Sequence, residues 1–125
     1  MLFLPQEGVA FMSDLLFIGY HPRVGTGDPD ELRRILEKVS ALNPKTVVPG
    51  HGPVGTLDDL ELMGQYIRAL DELARKMVRD GEAEEKVDEM AIPEPFEDWL
   101  FAAFFALNMH FLYQRQSKTQ AGISV

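Results

Sequence analysis

The stretch Thr46–Gly55, TVVPGHGPVG, is the most informative part of this sequence. It begins with β-branched residues typical of a short strand and continues into a glycine-rich loop that carries one histidine. That histidine, His51, stands between Gly50 and Gly52, so no neighbouring side chain covers its ring and the loop backbone can closely approach whatever the ring contacts. The pattern favours a ligand position, and a histidine that only shapes the turn is the alternative.

Composition restricts the class of protein. A chain of 125 residues, 46% hydrophobic and 26% charged, is typical of one soluble globular domain. We expect this domain over residues 1–116, followed by a flexible tail at 117–125. The formal net charge of −8 argues against nucleic acid as a partner. Because the chain has no cysteine, a transition-metal site would need histidine, aspartate or glutamate.

The sequence predicts neither a targeting segment nor a membrane span. Its first residues, MLFLPQEG, lack the basic segment and the long apolar run of a signal peptide. The longest apolar stretch, Trp99–Leu107, is shorter than the roughly 17 to 25 residues that cross a bilayer. We therefore expect a cytoplasmic protein without membrane contact.

Short strands and capped helices alternate along the chain. Residues 2–5 and 9–13 predict a hairpin that turns at Gly8 and leads to Asp14, and residues 19–27 predict a loop. Asp28 and Glu31 predict the capping box of a helix that ends near residue 42, and Thr56 and Asp59 predict that of a longer helix ending at Gly81. A short acidic helix at 82–90 and a last helix at about 97–116 follow.

The order strand, helix, strand, helix suggests an α/β fold with a site at one edge of its sheet. If the strands before Asp14 and His51 are parallel neighbours, their carboxyl ends bring these two side chains to the same edge. Asp14 could instead cap the turn that follows its strand, and this alternative stays open.

Two segments carry a resemblance to a known family. Residues 4–22, LPQEGVAFMSDLLFIGYHP, and 28–55, DPDELRRILEKVSALNPKTVVPGHGPVG, resemble the C-terminal half of metallo-β-lactamase-fold, glyoxalase-II-like hydrolases. The resemblance covers roughly residues 2 to 80. It implies that Asp14 bridges two metal ions and His51 binds the second, with zinc as the expected metal. It also implies that Tyr20 and His21 lie near the substrate, although a solvated loop position for His21 is the alternative.

The remaining metal ligands of that family have no match in this sequence. The resemblance implies an upstream His-x-His-x-Asp-His motif and a further histidine, and neither is present. Ser13 also stands where the family usually has glycine. We therefore expect weak or absent zinc binding, no activity of the isolated chain, and a role as an oligomeric or interaction domain. The alternative is a metal-dependent hydrolase of esters, thioesters or phosphodiesters whose site a second chain or copy completes.

The implied fold is half of an αββα sandwich, a small sheet with helices on one face plus extra C-terminal helices. The other sheet face would then be uncovered and apolar, with its alternating residues at Leu2, Leu4, Val9, Phe11 and Leu15. We expect a homodimer, or a complementary N-terminal half chain, to cover it. His110 is expected to pack with one hydrogen bond, and the acidic run Glu82–Glu89 to form a solvated face.

Overall fold

The structure, a computed structural model, describes residues 1–26 and 28–120, without the side chains of Thr26, His51 and Gln120. It is a mixed α/β fold with a three-stranded sheet, α-helices and short 3-10 helices. In chain order the elements are β1 (Leu2–Leu4), β2 (Val9–Phe17), a 3-10 helix (Val24–Thr26), α1 (Pro29–Ala41), β3 (Thr46–His51), α2 (Leu57–Arg79), a second 3-10 helix (Glu84–Glu89) and α3 (Ala103–Gln120).

The sheet has the order β1-β2-β3. Strands β1 and β2 form the expected antiparallel hairpin, with Leu2 opposite Phe11 and Gly8 in the turn at a φ of 67°. Strands β2 and β3 are parallel neighbours, with Val9 opposite Thr46. The condition for a shared carboxyl edge is therefore met.

Strand β2 is longer than the sequence predicted and contains a bulge. Its pairing with β3 shifts between Phe11 and Ser13 and again between Ser13 and Phe17. Ser13 has a φ of 52°, in the left-handed region that glycine adopts most easily. Asp14 follows it, so Asp14 lies inside β2 at the bulge and not just past the strand's end.

The two central helices begin as their capping residues predict. The Asp28 side chain accepts a hydrogen bond from the Asp30 amide at 2.9 Å, rather than forming the predicted box with Glu31. At the start of α2, Asp59 Oδ2 accepts from the Thr56 amide at 2.9 Å, which confirms the predicted capping box. Both helices place an apolar stripe against the sheet, and the core residues they bury include Leu36, Val39, Leu60, Met63, Tyr66, Ile67 and Leu70.

The two faces of the sheet differ in their environment. Ala10, Met12 and Val47 are fully buried in the core beneath the helices. On the opposite face, Leu2 is 58% and Phe11 is 40% exposed, and no element of the described chain covers them. Leu15 was expected on this uncovered face, but the bulge changes the alternation of β2 and Leu15 packs against the core instead.

The last helix begins and ends later than predicted. Residue Phe101 has a φ of 60°, and a turn there leads into α3 at Ala103 instead of about residue 97. The helix continues through Gln120, four residues into the segment expected as a tail, and 121–125 lie outside the described residues. Within the part of the chain that the structure describes, no helix has the length and apolarity that crossing a membrane requires.

Candidate functional site

The candidate site lies where β2 and β3 run side by side at the bulge. Ser13 is opposite Pro49 and Phe17 is opposite His51, so Asp14 lies in the bulged segment of β2 alongside Gly50. A Cβ on Gly50 would lie 2.7 Å from Asp14 Oδ1 and 2.6 Å from the carbonyl oxygen of Ser13. The exposed Asp14 carboxylate therefore lies close to the residue that precedes His51.

The loop after His51 is fastened at two further places. Gly52 has a φ of 106°, and its Cα packs so closely on the Ile18 carbonyl oxygen that a Cβ would overlap this oxygen. Val47 and Gly55 exchange two backbone hydrogen bonds of 2.9 Å, which close the loop at its base. The glycines thus allow the loop backbone to approach β2 and Ile18 closely. The structure describes the backbone of His51 at the end of β3, whereas its side chain lies outside the description.

A cleft of about 400 Å³ opens beside Asp14. Its walls come from the end of β2, the loop before the first 3-10 helix, and α1. Pro22 and Arg23 border this cleft, whereas the candidate substrate residues Tyr20 and His21 do not line it.

His21 lies in the interior rather than in a solvated loop. Its side chain is fully buried, and its Nδ1 lies 2.8 Å from the Tyr66 hydroxyl. Burial lowers the pKa of His21, an effect that the backbone of Phe96 partly opposes. Asn108 Nδ2 donates to the same hydroxyl at 3.1 Å and to the Pro22 carbonyl at 2.7 Å. The network therefore ties the loop after β2 to α2 and α3.

Tyr20 is half-buried beside the C-terminal segment. Its ring lies 5.4 Å from that of Phe101, and backbone hydrogen bonds of 2.9 Å join Gly19 and His21 to Leu100. These contacts fix the loop onto the residues before α3, so in this structure Tyr20 serves packing. The sequence carries no local signal for this contact, because the partners are about 80 residues apart.

His110 has more polar contacts than expected. Its Nδ1 lies 2.6 Å from Glu84 Oε2, and its Nε2 lies 3.0 Å from Asp88 Oδ1. The bonds to Asp88 and then Glu84 raise the pKa of His110, because the carboxylates stabilise the charged ring. The prediction of a single hydrogen bond was wrong, and part of the acidic run binds α3 instead of only facing solvent.

The described side chains do not form a complete metal site. Among them, and hence without His51, no three histidine, aspartate or glutamate groups lie together as metal ligands. Zinc nevertheless accepts a carboxylate such as that of Asp14 and an imidazole such as that of His51 as ligands. Two such ligands leave half of a tetrahedral shell to be supplied from elsewhere.

Comparison of the chain with protein-family models and with curated protein sequences found no match. The metallo-β-lactamase resemblance thus depends on the two quoted sequence segments alone.

Proposed function

We propose that this chain is half of a metallo-β-lactamase-type domain and supplies Asp14 and His51 to a metal site for the hydrolysis of ester-like substrates. One observation carries the proposal: at the bulge between two parallel strands, the Asp14 carboxylate lies close to Gly50, which directly precedes His51. A strained residue before Asp14 and a glycine opposite it maintain this approach.

A metal held there would supply Lewis-acid chemistry, polarising the scissile group and lowering the pKa of a water molecule. The contribution of the chain is to orient the carboxylate and to present the histidine on a loop fastened at its base. Because a catalytic zinc usually has three protein ligands, two ligands predict weak binding and no useful rate for the isolated chain.

Zinc titration by calorimetry tests this function. Wild type should bind zinc weakly, and Asp14→Asn and His51→Ala should each weaken binding at least about tenfold, because each removes one of only two ligands. Asp58→Asn, an exposed carboxylate at the start of α2, is the matched control and should bind as wild type. Equal zinc affinity of wild type and both site variants would contradict the proposal.

Activity gives a second measurement on the same proteins. Wild type with zinc should not hydrolyse p-nitrophenyl acetate or bis(p-nitrophenyl) phosphate faster than zinc alone. Zinc-dependent turnover that is lost in Asp14→Asn and His51→Ala would contradict the inert half-domain and would favour a site completed between two copies.

The uncovered sheet face favours a second candidate function, self-association as a non-catalytic assembly domain. The strand residues on this face are uncharged, namely Leu2, Leu4, Val9, Phe11, Thr46 and Val48. Two copies can therefore stack sheet on sheet at about 10 Å without facing like charges, although each chain has a net charge of −8. A second copy is the occupant that we propose for this face.

Light scattering after gel filtration tests the assembly. Wild type should be dimeric at micromolar concentration, and Phe11→Glu should be monomeric because it places a charge in the stacked face. Leu42→Glu, at a leucine that is 48% exposed after α1, is the matched control and should remain dimeric. A monomeric wild type would contradict self-association, and a complementary half chain would then be the occupant to seek.

A further inference from the structure

The cleft beside Asp14 has the size and lining of a small-molecule site. Its volume of about 400 Å³ lies within the range of about 300 to 1,000 Å³ that is usual for ligand pockets. It is an open cleft lined by three separate parts of the chain, the bulged end of β2, residues 22–24 and α1, with Met63 of α2 also in its lining.

Two walls of this cleft are apolar. Leu15 and Phe17 come from β2, and Leu32 and Ile35 come from one face of α1. All four are half-buried, so a ligand could remove more of their surface from water. Met63 is fully buried, and its sulfur lies 3.3 Å from the Phe17 amide, which holds β2 against α2. A short alkyl or aryl group would fit this surface.

The polar rim has an excess of negative charge. It contains three carboxylates, from Asp14, Asp28 and Glu31, and one guanidinium, from Arg23. The Arg23 guanidinium carbon lies 5.3 Å from the centre of the Phe104 ring, on the α3 side of the rim. In the metal-free chain, even with Asp28 partly neutralised by an Arg115 nitrogen at 3.8 Å, the rim favours a cation over an anion.

We propose that this cleft binds a small molecule with a short apolar arm and a cationic group, such as an alkylammonium compound. Its position next to Asp14 assigns the bound group as the non-reacting arm of a substrate, and this assignment rests on the proposed function. The reacting ester-like bond would then lie toward Asp14 and the loop of His51.

Amide chemical shifts of the full chain, without metal, test this site directly. Octyltrimethylammonium below its micelle concentration should cause saturable shifts at Leu15, Leu32 and Ile35. Octanoate has an alkyl arm one carbon shorter and the opposite charge. It should bind about fivefold or more weakly, since reversing the charge affects the contacts with more than one rim carboxylate, each worth about 0.2–1 kcal/mol, and a factor of ten corresponds to about 1.4 kcal/mol.

Matched variants separate the charge from the fold. Glu31→Gln should weaken octyltrimethylammonium binding about two- to threefold, and it should bind octanoate at least as tightly as wild type does. Glu37→Gln, on the same helix but outside the cleft, should change neither. Equal affinity of wild type for the two probes, or no saturable shift in the cleft, would overturn the inference.

The two proposals fail in different measurements. Probe binding in the cleft without zinc binding would support the ligand site and contradict the metal half-site, that is, the pair of zinc ligands Asp14 and His51. Zinc binding that depends on Asp14 and His51, with no probe binding, would keep the proposed function and overturn the cleft.

Discussion

Replacing Gly50 by alanine should lower the stability of the fold, because the site depends on the close approach of the Gly50 backbone to β2. The added Cβ would lie 2.6 Å from the Ser13 carbonyl oxygen and 2.7 Å from both the Ser13 carbonyl carbon and Asp14 Oδ1. Two of these contacts are with backbone, so the strands would have to separate. Overpacking of this kind costs about 1–3 kcal/mol, and the smaller unfolded-state entropy of alanine returns about 0.5–1 kcal/mol.

We therefore expect Gly50→Ala to lower the free energy of unfolding by about 1–2 kcal/mol. For a domain of this size that corresponds to a fall of about 4–8 °C in Tm. Gly64→Ala is the matched control, because a Cβ at this α2 position meets nothing within 4 Å. It should raise the free energy of unfolding by about 0.5–1 kcal/mol through helix propensity.

Thermal and urea unfolding of the three proteins give the measurement. Gly50→Ala as stable as wild type would refute the close contact between β3 and the Asp14 carboxylate. If Gly64→Ala lost as much stability as Gly50→Ala, the effect would come from adding a methyl group anywhere and not from this contact.

Three further predictions concern stability. Tyr66→Phe removes the hydroxyl shared by a buried histidine and a buried asparagine and should lower the free energy of unfolding in urea by about 1–3 kcal/mol. Tyr113→Phe removes a hydroxyl that donates to an exposed carbonyl and should lower it less. Equal losses in the two variants would contradict the buried network. His110→Gln should lower the free energy of unfolding by about 0.2–1 kcal/mol near pH 5.5. Folding raises the pKa of His110. The stabilisation is therefore complete below the unfolded-state pKa of about 6.5 and is lost as the pH rises through the folded-state pKa. A stability difference between wild type and His110→Gln that grows with pH would contradict this ion pair. Ser13→Gly should raise the free energy of unfolding by about 0.5 kcal/mol. The left-handed conformation costs serine about 1–2 kcal/mol, whereas glycine loses about 0.5–1 kcal/mol more conformational entropy on folding. A variant with a lower Tm than wild type would contradict this.

Local signals in the sequence were sufficient for the starts of α1 and α2 and for the hairpin. Helix α2 begins after Thr56 with the predicted capping box, because its partners are three residues apart and need no tertiary contact. Gly8 likewise turns the hairpin at the expected position. Strands β2 and β3 pair in parallel, as is usual for two consecutive strands that a crossover helix joins.

The features that sequence analysis missed depend on contacts between distant residues. The bulge that moves Asp14 into β2 forms through pairing with β3, which no local pattern records. His21 is buried by Tyr66 and Asn108, and His110 is bound by Glu84 and Asp88 from another segment. A lone histidine in a glycine-rich or apolar stretch therefore carries little information about its burial.

The most direct test of the metal half-site uses cobalt(II), a paramagnetic substitute for zinc, in amide spectra of the full chain. We expect the broadening to be strongest at residues 13–15 and 50–52 and to disappear in Asp14→Asn. Broadening centred on Glu84, Asp88 and His110, or broadening unchanged by Asp14→Asn, would contradict a metal half-site at the edge of β2 and β3.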